Sequence, residues 1–204
     1  MIRLSRDRDI ETPDEIWFLE HPPVFTLGQA GRREHILDPG TIPVIQSDRG
    51  GQVTYHGPGQ LLCYLLLDLK RKGITVKSLV THMEQSIIDM LAEQGLTASR
   101  RAGAPGVYID GRKIAALGVR VRRGSCYHGL ALNVSMNTDP FLCINPCGFP
   151  GLRVTQLREY GSTMTVTQAA EALLPQLLHH LGYSGYNVIR LEGLANPQSV
   201  SLAS

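Results

Sequence analysis

The sequence lacks the features of an exported, membrane-spanning or nucleic-acid-binding protein. Its 204 residues begin with charged side chains rather than an apolar segment with a basic flank, and no apolar run is long enough to cross a membrane. The formal net charge is only +2, so no acidic polymer is required as a partner. We therefore expect a cytoplasmic, soluble globular protein that binds neither nucleic acid nor a membrane.

Cysteine is scarce, which argues against a disulfide framework in a cytoplasmic chain. The four cysteines are Cys63, Cys126, Cys143 and Cys147. Between Cys143 and Cys147 lie three residues, and no second Cys or His pair is nearby, which is a poor zinc pattern. We expect free thiols and no metal site.

The apolar patterns predict a single mixed α/β domain over residues 1–191 and a flexible tail over 192–204. Strands are predicted at 15–20, 24–27, 44–46, 61–69, 107–109, 112–122 and 125–134. Helical spacing predicts helices over 75–94 and 167–181, and Pro175 is expected to kink or split the second. The pair Asp110-Gly111 is the favoured two-residue hairpin turn.

The most informative stretch is the glycine-rich segment, residues 49–60. It runs from Arg49 to Gln60 and holds four glycines and a proline between two apolar runs. Because each glycine costs stability through backbone entropy, such density is unusual for a structural turn. We interpret the segment as a wall against which a ligand lies closely.

A candidate nucleophile is Cys147, which lies between Pro146 and Gly148. The proline fixes its own φ, and the glycine lets the chain turn directly after the thiol, so the cysteine can project from a tight loop. Local sequence alone leaves the alternative open that Cys147 is a small buried apolar residue, as most free cysteines are.

Lys113 is a candidate partner for this thiol. Alternation along the strand places it on one face with Ala115 and Leu117, so a charged residue stands on an apolar stripe. A desolvated amine that accepts the thiol proton would make a nucleophile of the cysteine. Two alternatives remain: the ammonium reaches solvent past the hairpin turn, or His56 or His128 serves as the base instead.

Several further motifs resemble those of one enzyme family, the lipoyl(octanoyl) transferases. Besides the glycine-rich segment, they are residues 103–108, 113–118, 122–124, 128–134 and 144–148. Their order and spacing match over roughly residues 14–158. The resemblance implies a mixed sheet flanked by helices, as in the catalytic domain of biotin and lipoate protein ligases.

The resemblance also implies a reaction. An octanoyl group passes from acyl carrier protein to the cysteine, and then to a lysine of the lipoyl domains in 2-oxoacid dehydrogenase E2 subunits and the glycine cleavage H protein. Cys147 is implied as the acyl-thioester nucleophile, and Lys113 as the residue that favours its thiolate form and moves protons. No cofactor is implied.

The acyl-contacting residues implied by the resemblance lie on three segments. They are Arg49, Gly50, Gly51, Gln52, Val53, Thr54, Tyr55, His56, Ala116, Leu117, Gly118, Gly129, Leu130 and Ala131. Many relatives have serine where this chain has Ala116, so a hydroxyl contact is lost there. Two other functions stay open: an ATP-dependent lipoate or biotin ligase, and a non-catalytic acyl-binding module.

Overall fold

Two β-sheets organise the chain in a computed structural model that describes residues 8, 11–190 and 198–203. The larger sheet has eight strands in the order β10-β11-β1-β5-β9-β8-β7-β6, and the smaller has the order β3-β2-β4. The strands are β1 (Asp14–Leu19), β2 (Val24–Leu27), β3 (Val44–Gln46), β4 (Val53–His56), β5 (Gln60–Asp68), β6 (Ser99–Arg100), β7 (Val107–Ile109), β8 (Arg112–Arg122), β9 (Ser125–Asn133), β10 (Gly185–Arg190) and β11 (Gln198–Ala203).

Helices cover one face of the larger sheet. They are α1 (Leu69–Lys72), α2 (Val76–Glu93) and α3 (Val166–Leu181). Thr75 and Thr165 begin α2 and α3 with capping boxes, in which each threonine side chain accepts from the backbone three residues on. The helices bury an apolar stripe against alternate residues of β5, including Leu61 and Leu65. The predicted mixed α/β fold with flanking helices is confirmed.

Helix α3 runs through Pro175 without interruption, so the expected split does not occur. The proline lies on the exposed side of the helix, where the carbonyl that it leaves without an N–H partner can bind water. The buried leucines on the opposite side, among them Leu173 and Leu177, hold both halves of the helix on the same core.

The predicted flexible tail is wrong for residues 198–203. These residues form β11, which pairs with β1 on one side and β10 on the other, and Leu202 is buried opposite Asp14. A strand in this position shields the edge of β1, so backbone pairing decides the structure of a segment whose composition is small and polar. Residues 192–197 and 204 of the predicted tail lie outside the described residues.

The β7–β8 hairpin turns at Asp110-Gly111 as predicted, with positive φ at both residues. Simple alternation along β8, however, is wrong. Val107 pairs with Ala115 while the next residue, Tyr108, pairs with Lys113, so Ile114 is an extra residue, a β-bulge. Ile114 and Ala115 both pack into the helix-side core. Lys113 is thereby turned to the opposite face of the sheet, away from Ala115 and Leu117.

Candidate active site

A cavity of about 920 Å³ lies between the smaller sheet and the face of the larger sheet that the helices do not cover. Its floor is formed by β5, β9 and β8, and we call the following six residues the cavity floor: Leu62, Tyr64, Gly129, Ala131, Ala116 and Gly118. Residues of β2 and β4 and half of the glycine-rich segment form the opposite side. Cys147 and Lys113 both lie at this cavity.

Lys113 and Cys147 are in direct contact. The Lys113 Nζ lies 3.0 Å from the Cys147 Sγ and donates a second hydrogen bond, of 2.9 Å, to the Pro105 carbonyl. The lysine is only 3% exposed. Its amino group therefore does not reach solvent past the hairpin turn, and the bulge at Ile114 is the reason that it faces the thiol.

The backbone of Lys113 is clamped by a segment that follows the cysteine loop. Its N–H donates to the Arg153 carbonyl and its carbonyl accepts from the Thr155 N–H, each at 2.9 Å. Gly106 packs on the other side of the side chain, because a Cβ there would lie 2.7 Å from the Lys113 Cε. The position of the amine is fixed at both its backbone and its side chain.

Cys147 is held in an uncommon backbone conformation. It lies in the 3-10 turn Pro146–Gly148 with φ 57° and ψ 17°, in the left-handed region that costs a non-glycine residue about 1–2 kcal/mol. Hydrogen bonds hold the turn, from the Asn145 N–H to the His35 carbonyl and from the Gly148 N–H to the Asn145 carbonyl. Strain at a half-buried thiol in a cavity is typical of a functional residue.

Of the four glycines in the glycine-rich segment, Gly51 lines the cavity and Gly50, Gly57 and Gly59 do not. A Cβ at Gly50 would lie 2.7 Å from the Val119 carbonyl oxygen, and one at Gly118 would lie 3.0 Å from the Gly50 carbonyl oxygen. A Cβ at Gly129 would lie 2.1 Å from the carbonyl oxygen of Cys63, on the neighbouring strand. These glycines are needed for close approach between protein backbones.

Arg49 anchors the segment from inside. Its guanidinium donates to the Thr26 carbonyl at 2.6 Å and to the Gln52 carbonyl at 2.7 Å, and burial lowers its pKa to about 10. In the part of the chain that the structure describes, no carboxylate forms an ion pair with it. Arg49 therefore stays cationic at neutral pH, as part of the lining of the cavity.

The other expected acyl-contacting residues mostly line the cavity. Those that do are Arg49, Gly51, Gln52, Val53, Thr54, His56, Ala116, Leu117, Gly118, Gly129, Leu130 and Ala131. Tyr55 packs instead into a small apolar core with Phe25 and Phe141, on the far side of β4.

The two histidines considered as alternative bases bind other partners. The His56 Nδ1 lies 2.7 Å from the Gln60 Oε1, and the His128 Nε2 lies 2.9 Å from the Asp48 Oδ1. Because the Gln60 amide nitrogen donates to Asn133, its oxygen is the acceptor, and the neutral His56 ring carries its proton on Nδ1. The thiol pairs with Lys113 rather than with a histidine.

Sequence reasoning missed three polar residues that line the cavity, His21, Tyr64 and Asp48. The His21 Nε2 lies 2.6 Å from the Tyr64 hydroxyl oxygen. A signal was present, because Tyr64 interrupts the apolar run of β5 with a hydroxyl that needs a partner when buried. Among the described residues, no group of three or more His, Cys, Asp or Glu side chains is placed to hold a metal ion.

Known proteins resemble this chain in both sequence and fold. Residues 3–178 match the family model of the lipoyl protein ligase A/B catalytic domain. A relative named octanoyltransferase from Shewanella sp. (strain ANA-3) is 58% identical over 188 residues, which cover 92% of this chain and 86% of the relative. The chain belongs to the octanoyltransferase family. It is an acyltransferase, and its reaction is octanoyl transfer.

Solved structures agree with this placement at the level of the fold. A lipoate-protein ligase A bound with ATP superposes with a TM-score of 0.73 at 16% identity, over 88% of this chain and 77% of the ligase. A biotin protein ligase from Aquifex aeolicus superposes with a TM-score of 0.55 at 16% identity, over 77% of this chain and 70% of the ligase. The fold expected from the sequence is confirmed. None of the helices among the described residues is long and apolar enough to cross a membrane.

We predict that Gly50→Ala lowers octanoyl transfer by about 10- to 100-fold, because the new methyl group would lift the glycine-rich segment off β8. The measurement is the transfer rate, with urea unfolding to show that the fold remains. Gly40→Ala is the control, since a Cβ at Gly40 meets nothing within 4 Å, so any loss there comes from the positive φ of Gly40 alone. Activity within twofold of the parent would contradict the docking role of Gly50.

We predict that His56 stays neutral from pH 7.5 to pH 5, because burial lowers its pKa to about 3. The unfolded chain takes up a proton near the ordinary value of about 6.5, so the contribution of His56 to stability is present above that pH and is lost as pH falls. NMR chemical shifts of the His56 ring, followed from pH 7.5 to pH 5, measure its protonation directly. In His56→Gln, the loss of unfolding free energy from pH 7 to 5 should be smaller by up to about 2 kcal/mol. An equal loss in both proteins would contradict it.

Proposed function

We propose that this chain takes an octanoyl group from acyl carrier protein, holds it as a thioester on Cys147, and delivers it to the lysine of a lipoyl domain. The observation that carries the proposal is the 3.0 Å contact between the Cys147 Sγ and the Lys113 Nζ at the cavity. The acceptors are the lipoyl domains of 2-oxoacid dehydrogenase E2 subunits and the glycine cleavage H protein, as the family resemblance implies.

In the first step, neutral Lys113 accepts the Sγ proton and the thiolate attacks the carbonyl carbon of the donor thioester. A new C–S bond forms to Cys147 and the C–S bond to the carrier arm breaks. The Lys113 ammonium then gives its proton to the departing thiolate. The Pro105 carbonyl orients the amine throughout.

In the second step, the neutral amine of the acceptor lysine attacks the octanoyl-Cys147 carbonyl. A C–N bond forms, the C–S bond to Cys147 breaks, and the proton lost by the amine returns through Lys113 to the Sγ. Exchange of one thioester for another is nearly neutral in free energy, and amide formation drives the reaction. The step sequence balances without a further reactant.

The alternative of an ATP-dependent ligase shares the fold. That reaction passes through an acyl-adenylate and needs no cysteine nucleophile, so it leaves the strained Cys147 and its contact with Lys113 without a purpose. The Lys113–Cys147 pair therefore favours transfer over ligation.

We predict that the protein gains one octanoyl group when it is incubated with octanoyl-acyl carrier protein without ATP. Intact mass spectrometry measures the gain, which should disappear in Cys147→Ser. Cys143→Ser is the matched control, because it removes the other partly exposed thiol and leaves Cys147 in place. A parent protein that stays unmodified would contradict the thioester intermediate, and full transfer by Cys147→Ser would show that the octanoyl group does not pass through Cys147.

We also predict that Lys113→Met slows alkylation of Cys147 by iodoacetamide at pH 7 by about tenfold. Its pH profile should shift toward that of a free cysteine, near 8.5, because the thiolate loses its partner. Peptide mapping assigns the modified thiol. Lys72→Met serves as the control, since Lys72 contacts Gly182 and the Tyr183 ring instead of the thiol. An unchanged profile would remove Lys113 from the mechanism.

A further inference from the structure

The cavity floor changes in character with distance from Cys147. Ala116 and Ala131 are small and apolar, and they lie beside each other on β8 and β9, with Leu62 next in the row on β5. The next row along the sheet is Gly118, Gly129 and Tyr64. The Tyr64 side chain is therefore the large polar side chain in a row whose other two members are glycines.

Cys147 and Tyr64 lie at opposite sides of this floor. Lys113 reaches both the Sγ and the Pro105 carbonyl, which places the thiol on the β7–β8 side. Tyr64 is on β5, two strands from β8 and one row further on. With about 4.8 Å between strands and about 6.7 Å between rows, its Cα lies about 12 Å from that of Ala116.

An acyl chain attached to Cys147 can cross the floor over Ala116 and Ala131, the small apolar residues that pair on β8 and β9. An extended octanoyl group is about 9 Å long, taking C–C bonds of about 1.5 Å. Because Tyr64 also lines the cavity, a chain of this length that crosses the floor toward β5 ends at the Tyr64 side chain. A longer chain would have to displace that ring.

The Tyr64 ring is braced. Its hydroxyl is 2.6 Å from the His21 Nε2, and its edge meets the His128 ring with the centroids 6.0 Å apart. His128 is in turn fixed by Asp48, which also accepts from the Tyr127 hydroxyl. The ring is thus held at His21 and at His128, and its displacement would leave the half-buried hydroxyl of Tyr64 and the His21 Nε2 without each other.

Volume alone does not select the acyl group. At about 30 Å³ for each water-sized group, eight carbons occupy about 240 Å³, well below the 920 Å³ of the cavity. The remaining space can admit the arm of the donor or the lysine of the acceptor. A length limit therefore has to come from an obstacle on the path of the acyl chain.

The obstacle is compatible with a methyl end. Burial raises the pKa of Tyr64 to about 12, and burial lowers the pKa values of His21 and His128 below their ordinary range. The side chains of Tyr64, His21 and His128 thus carry no formal charge at neutral pH.

We propose that Tyr64, hydrogen-bonded to His21, ends the acyl channel and sets the longest well-bound chain at about eight carbons. The proposal rests on the proposed function for the position of the acyl carboxyl carbon at Cys147. Tyr64 is a specificity-determining residue in this reaction, and His21 holds it in place.

The test is binding of straight-chain fatty acids, from hexanoate to tetradecanoate, to Cys147→Ser protein by calorimetry. Affinity should rise about fourfold with each added methylene as far as octanoate, and stop rising at decanoate. With Tyr64→Ala added, the rise should continue through decanoate and dodecanoate. We call the chain length at which affinity stops rising the break. A break at the same length in both proteins would overturn the proposal.

Leu62→Ala is the matched control, because it widens the floor one row nearer the thiol and leaves the wall in place. It should weaken all chains alike without moving the break. If Leu62→Ala moves the break as far as Tyr64→Ala does, the volume of the cavity and not Tyr64 limits the chain length, and the proposal fails.

His21→Ala provides a second variant that leaves strand β5 untouched, should Tyr64→Ala fail to fold. Freed of its brace, the ring should swing and admit decanoate, and an unmoved break would overturn the role of the wall. Failure of the proposed function is read separately, as absence of octanoyl-enzyme in the parent protein, whereas the break is measured in a variant that cannot react.

Discussion

The contact between the Lys113 amine and the Cys147 thiol is the interaction on which the rest of the site depends. A lysine that is 3% exposed is stable only if its charge or its lone pair finds partners, and the Pro105 carbonyl and the thiol supply them. On the other side of the contact, the cysteine occupies a left-handed conformation that the surrounding turn must hold. The buried amine and the left-handed cysteine each cost folding free energy. Together they place the amine next to the thiol, where it can exchange a proton with it.

A buried chain of amides connects this pair to the glycine-rich segment. The His56 ring meets Gln60, whose amide donates to Asn133 at 2.9 Å, and Asn133 donates to the Thr155 carbonyl at 2.9 Å. The Thr155 N–H donates in turn to the Lys113 carbonyl. Since fully satisfied buried networks are rigid, the end of the glycine-rich segment and the clamp on Lys113 form one unit.

Glycine has two roles in this molecule that the sequence does not separate. At positions such as Gly50 and Gly129 it lets one part of the backbone rest on another, and the cavity owes its shape to that packing. At Gly148 it has positive φ and turns the chain directly after the thiol, as the sequence suggests. A dense run of glycines indicates that other atoms approach the backbone closely, but it does not show whether they belong to a ligand or to the protein itself.

The sequence by itself determined what local chemistry controls: the strand at β2, the apolar stripe and threonine cap of α2, the Asp110-Gly111 turn, and the family, through motifs in register. Only the tertiary structure decided which face Lys113 presents, because the bulge at Ile114 appears only when β7 and β8 pair. The same holds for β11, which needs β1 beside it, and for the Tyr64–His21 wall, whose members are 43 residues apart. Local patterns specify elements, whereas pairing between distant segments decides which side chains meet.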